Sequence, residues 1–128
     1  MIILDTSSLI RFFTNDNKKM ALKVKKLIES KNELYIPNVV FAELEYVLMG
    51  VVYGSPRDKV LEAYKYLVAR DNIKVSTEVN KAVVIYEKTK LDMADCLVAA
   101  ISINNKLASF DKDLLKVEGV KSYFNLRG

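Results

Sequence analysis

Short apolar runs alternate with amphipathic stretches along this chain, and the alternation predicts an order of elements. Met1-Ile2-Ile3-Leu4 is apolar on both faces and reads as a buried strand, stopped by Asp5-Thr6-Ser7-Ser8. Leu9 to Phe13 reads as a helical turn. Between Lys18 and Ser30, Met20, Ala21, Val24, Leu27 and Ile28 share one helical face, while Lys23, Lys25 and Lys26 lie elsewhere. Leu34 to Ile36 reads as a second strand closed by Pro37, and Asn38 is placed to cap a helix reaching Tyr53. Ser55-Pro56-Arg57-Asp58 carries the cap, the first-position proline and the early acid of another helix, which reaches Arg70. Ile73 to Val75 is a third strand and Glu78 to Thr89 a helix. Asp92 caps an apolar helix to Asn104, and Leu107 to Phe110 is a fourth strand stopped by Asp111. A helical turn over 113–116 leads to a last strand, Lys121 to Phe124.

Strands that alternate with helices and are apolar on both faces predict an α/β fold, a parallel sheet with helices on both sides. In such sheets, sites gather at the carboxyl ends of the strands. No linker rich in Gly, Pro or Ser interrupts the 128 residues, so one domain over residues 1–128 is expected.

Composition narrows the chemistry. With 51% hydrophobic residues the chain is not of the disordered class. Twenty Lys and Arg against sixteen Asp and Glu give a net charge of +4, which suits a polyanion but equally suits solvated helix faces. There is no histidine, which excludes histidine acid–base catalysis, Ser-His-Asp triads and histidine zinc sites. The lone Cys96 lies in an apolar run and reads as a small buried hydrophobe. No basic leader and no apolar run near ~20 residues appears, so a cytoplasmic protein away from membranes is expected. An enzyme with this composition works through carboxylates, hydroxyls, amides and lysines.

Four acids stand among apolar neighbours. Asp5 ends the first strand, where it can cap a helix or face a site. Glu43 lies in a helix in which Glu45 is about 200° away, so the two cannot point the same way. Val39, Val40, Tyr46 and Val47 at helical spacing tilt the reading toward Glu43 as the inward one, although two solvated glutamates is the simpler reading of the pair alone. Asp95 sits in Met93-Ala94-Asp95-Cys96-Leu97-Val98-Ala99-Ala100-Ile101, a stretch that reads as a buried helix. A buried carboxylate there needs a partner or a cation. Asp92 shares its face and reads as the N-cap. Asp111 ends the fourth strand; either it or Asp113 caps the next turn, and Ser109 can orient a carboxylate. If strands one and four are neighbours, Asp5, Glu43, Asp95 and Asp111 converge. Like charges at one cleft need a cation among them. Oxygen ligands select Mg²⁺ or Mn²⁺, which can activate a water and neutralise a phosphodiester.

Asp5-Thr6-Ser7-Ser8-Leu9, Ile36-Pro37-Asn38-Val39-Val40-Phe41-Ala42-Glu43-Leu44, Leu91-Asp92-Met93-Ala94-Asp95-Cys96-Leu97-Val98-Ala99-Ala100 and Ser109-Phe110-Asp111-Lys112-Asp113-Leu114, in this order, resemble the PIN-domain family and its VapC-type toxins of toxin–antitoxin pairs. The resemblance implies a five-stranded parallel sheet between helices. It implies a Mg²⁺- or Mn²⁺-dependent endoribonuclease whose catalytic and metal-binding quartet is Asp5, Glu43, Asp95 and Asp111. Thr6, Ser7, Asp92, Ser109 and Asp113 would support that quartet, Ser7 standing where relatives often carry Asn and Ser109 where they often carry Thr. A small antitoxin protein is the implied partner. Apolar residues all round the Tyr46 to Tyr53 stretch suggest a homodimer, and Lys18, Lys19, Lys23, Lys25 and Lys26 a surface for RNA. A receiver domain is disfavoured because the third strand ends Val75-Ser76-Thr77 without an acid, and a dehalogenase-type phosphatase because Asp5-Thr6-Ser7 is not Asp-x-Asp. The remaining alternatives are a non-cutting module that binds RNA or a partner, and an RNA-processing nuclease without an antitoxin.

Overall fold

The structure, a computed structural model, describes residues 1–125. Residues 126–128, included in the expected domain, lie outside the described residues. The chain divides into two compact units, one over Met1–Ser76 and one from Thr77 on.

The first unit contains β1 (Ile2–Ile3), α1 (Thr6–Thr14), α2 (Lys18–Ile28), β2 (Leu34–Tyr35), α3 (Asn38–Met49), α4 (Arg57–Ala69) and β3 (Ile73–Lys74). Its strands pair in the order β1-β2-β3, all parallel, with Ile2 opposite Leu34 and Leu34 opposite Ile73. The second unit contains α5 (Thr77–Lys88), α6 (Met93–Ser102), β4 (Lys106–Leu107), α7 (Lys112–Leu115) and β5 (Lys121–Ser122). Here β4 and β5 pair in parallel, Lys106 opposite Lys121. The parallel α/β class is therefore present, as short strands in a three-stranded and a two-stranded sheet. A single five-stranded sheet is not among the described pairings.

Most predicted strands are shortened for identifiable reasons. Pro37, at φ −61° and ψ 150°, has no N–H for a ladder and opens α3 instead. Ser109 Oγ accepts the Asp111 N–H at 3.0 Å and turns the chain away from β4. Ile2 and Ile3, at an edge of the three-stranded sheet, are exposed rather than buried; only Leu4 of the run is in the core.

The helices follow their predicted order, with shifted ends. The first turn is a nine-residue helix, α1. Asn38 does not cap α3: it is the first helical residue, and its Oδ1 accepts the Ser76 hydroxyl at 2.6 Å. α3 stops at Met49 rather than Tyr53. There Gly50 turns to extended backbone, and a side chain on it would sit close to the Tyr46 carbonyl oxygen, at 3.1 Å. α4 starts at Arg57, with Pro56 in the cap position and no side-chain cap.

Packing inside the first unit joins the helices to the sheet. Tyr64 of α4 is fully buried against Phe41 of α3, and its hydroxyl donates to the Phe41 carbonyl at 2.6 Å. The Asn72 amide donates to the carbonyls of Ile28, Ser30 and Asn32, tying the α2–β2 turn beside β3. The second unit packs α5 on α6 through Val79, Ala82, Val83, Tyr86, Met93, Cys96, Ala99 and Ala100, all buried. Cys96 is a free, buried cysteine, as expected. Among the described residues, no helix is long and apolar enough to cross a membrane.

Candidate functional site

In the first unit, Asp5 is the N-cap of α1. Its Oδ1 accepts the Ser8 N–H at 3.1 Å and the Ser7 hydroxyl at 2.9 Å. These bonds, the one from Ser8 first, hold the Asp5 carboxyl below the usual carboxylate range. The next residue, Thr6, donates its hydroxyl to Glu43 Oε1 at 2.7 Å, so the start of α1 and the middle of α3 carry two carboxylates held by adjacent side chains. The inward glutamate is not Glu43. Glu43 is exposed, and Glu45 is 8% exposed, 3.9 Å from the Arg57 guanidinium. Val40, Phe41, Leu44 and Leu48 make the buried stripe, which places Glu45 on its border and Val39, Glu43 and Tyr46 on the opposite side. An apolar excess all round a helix does not say which side meets the core.

In the second unit, Asp92 is the N-cap of α6, its Oδ1 accepting the Asp95 N–H at 2.8 Å. α6 is not apolar-buried all round: Ala94, Val98 and Ile101 are exposed, and Asp95 sits half-buried at the border of that stripe. The Asp95 carboxylate makes no hydrogen bond or ion pair among the described residues. Desolvation, then the charges of Asp92 and Asp111, push its pKa up. Asp111 is the residue that caps α7, accepting from the Asp113 and Leu114 N–H groups at 3.0 and 3.1 Å, which leaves the Asp113 side chain free of the cap. Ser109 holds the Asp111 backbone rather than its carboxylate.

The donor chemistry suits a hard divalent cation, since every candidate is a carboxylate oxygen and Asp95 carries like charges near it with no cationic partner. Among the described residues, no three Asp, Glu or Cys side chains are gathered closely enough to hold a metal ion as they stand. The clefts lie elsewhere in each unit: one of about 400 Å³ lined by Phe13, Leu48, Tyr53 and Lys59, and one of about 560 Å³ lined by Lys81, Val84, Lys88 and Lys116. Asp113 lines a smaller one of about 280 Å³ with Thr89, Lys90 and Leu91.

Lys18, Lys19, Lys23, Lys25 and Lys26 are all exposed on α2, and none forms an ion pair among the described residues. The sequence pattern gave no sign of a clasp in which Asp16 Oδ2 accepts from Arg11 at 2.7 Å and from the Tyr53 hydroxyl at 2.5 Å. Nor did it single out the exposed Phe110 beside Asp111; an aromatic residue next to a strand-end acid was the available signal.

The family model of the PIN domain matches residues 2–120. No curated protein matches the chain.

Proposed function

Because this chain belongs to the PIN domain family, whose members are in general metal-dependent nucleases, we propose that it is an endoribonuclease and the toxin of a toxin–antitoxin pair. Asp95 carries the reading: a half-buried carboxylate without a hydrogen-bond or ion-pair partner among the described residues, under the charges of Asp92 and Asp111, is a group that favours a cation. In this reading the acidic quartet is Asp5, Glu43, Asp95 and Asp111. These carboxylates would hold a Mg²⁺ or Mn²⁺, which when bound would lower the pKa of a water and neutralise charge on the phosphodiester. The residues of the chain do the rest. Asp5 and Asp111 are fixed through one oxygen by their caps, Thr6 orients Glu43, and the α2 lysines Lys18, Lys19, Lys23, Lys25 and Lys26 draw the RNA backbone. Ser7, Ser109, Asp92 and Asp113 support the acids.

The partners follow from the same reading. The order of the four motifs supports an antitoxin as the protein that restrains the enzyme. Val39, Tyr46, Met49, Val51 and Val52, all exposed, support a homodimer through α3 and the turn after it.

Metal-free protein mixed with single-stranded RNA should begin to cut when Mg²⁺ or Mn²⁺ is added and stop when EDTA follows. The fragments should carry 5′-phosphate and 3′-hydroxyl ends, because no histidine is present to make and open a cyclic phosphate. Full cutting in EDTA, or 2′,3′-cyclic phosphate ends, would sink the proposal. RNA binding without any cutting would select the non-catalytic alternative.

A further inference from the structure

Phe110 stands between Ser109 and Asp111 and is 76% exposed. Phe124 stacks on it, with ring centroids 4.8 Å apart and planes 10° from parallel. Tyr123, 66% exposed, meets Phe124 edge-on at 5.5 Å and is anchored by its N–H to the Leu107 carbonyl at 2.8 Å. One face of Phe110 is therefore backed by a second ring, and its exposure leaves the other face open to water. Lys112 follows Asp111 directly, and Lys106 and Lys121 are paired across β4 and β5; all three are exposed and outside any ion pair among the described residues.

Single-stranded nucleic acid sites combine aromatic faces with cations, because every base offers a π-face and every link a phosphate. Here the ring face is held by a second ring, Lys112 lies two residues on, and Lys106 and Lys121 lie at the start of β4 and β5. We propose that Phe110 is a stacking platform that seats one unpaired base of a single-stranded RNA next to Asp111, with Lys106, Lys112 and Lys121 on the adjoining phosphates. The choice of RNA rests on the ribonuclease reading; the stacking itself needs no cutting. Bases inside a duplex are already paired and stacked, so the platform selects loops and free strands over helices. Phe110 thereby decides which phosphates reach Asp111: those beside an unpaired base.

The chain has no tryptophan, so Phe110→Trp creates a single reporter at the platform. In EDTA, an eight-residue oligoadenylate should quench that tryptophan, whereas an abasic strand of equal length and a blunt RNA duplex should not. By anisotropy with labelled oligoadenylate, Phe110→Ala should bind about 10-fold more weakly. Phe110→Tyr should bind like wild type, and abasic binding should be the same in all three. The platform is overturned if wild type fails to bind oligoadenylate, if Phe110→Ala binds it unchanged, or if the loss is equal on the abasic strand. It is also overturned if light scattering shows that Phe110→Ala changes the association of the chain instead. Wild-type RNA cutting with unchanged binding by Phe110→Ala removes the platform and leaves the nuclease; stacking without any cutting leaves the platform and removes the nuclease.

Discussion

Asp5, Asp92 and Asp111 each give one carboxylate oxygen to a helix N–H, whereas Asp95 gives neither. Their responses to mutation should differ accordingly. The folded pKa of Asp95 is raised, so the native state binds its proton more tightly than the unfolded chain does. That penalty is absent below the ordinary carboxylate value and is complete once pH exceeds the raised one. Asp95→Asn should therefore melt at the same temperature as wild type or higher in EDTA at pH 7, and the gain should vanish in acid. Cutting should fall ~100-fold or more, since even the partners of metal ligands are worth ~10–100-fold. Mg²⁺ should raise the melting temperature of wild type more than that of the mutant. A clear loss of stability in EDTA with near-normal cutting would show Asp95 to be structural. Asp5 has the opposite sign: its lowered pKa gives stability above the ordinary value that is lost as acid reaches the lowered one. Asp5→Ala loses the cap as well, about 1 kcal/mol, while Asp5→Asn keeps it; urea melts of the pair at pH 7 separate cap from charge.

At the scale of elements, the order of helices and strands was legible and their faces were not. Ala21, Val24, Leu27 and Ile28 of α2 lie inward or part-inward as their spacing predicted, because lysines mark the other side, while Met20 of the same predicted face, in the first turn, is exposed. On α3 no such contrast exists: Val39, Tyr46 and Met49 are exposed apolar residues, so the apolar pattern around Glu43 does not mark the inward side. The stops at Asp5 and Asp111 were legible, but the length of β4 was not, since Ser109 turns the chain through a bond to the Asp111 N–H that composition does not reveal. The acids of the site were legible as types in apolar settings, but which of Asp111 and Asp113 caps α7 was fixed only by geometry. The packing of α4 on α3 gives a direct test. Tyr64→Phe removes the hydroxyl bond to the Phe41 carbonyl in a fully buried place and should cost about 1 kcal/mol in urea unfolding, with RNA cutting unchanged.

For the molecule as a whole, a net charge of +4 is modest, and the placement of its cations matters more than their sum. Lys23→Glu with Lys26→Glu should weaken RNA binding and flatten its dependence on log salt by about 0.7 for each single-strand phosphate that is no longer neutralised. An unchanged slope would mark α2 as a solvated face only. The exposed Val51 and Val52 turn should bury itself on a second copy, so light scattering at micromolar concentration should give twice the mass of 14.5 kDa, and Val51→Asp should return it to the monomer. The capping acids have a practical consequence for whoever produces this protein. Asparagine starts a helix about as well as aspartate, so exchanging Asp5 and Asp111 for asparagine erases two charges without disturbing the ends of α1 and α7. If the proposed ribonuclease reading holds, the product should keep the fold and the RNA-binding surface while losing the cut, so that bound RNA is recovered whole instead of in pieces.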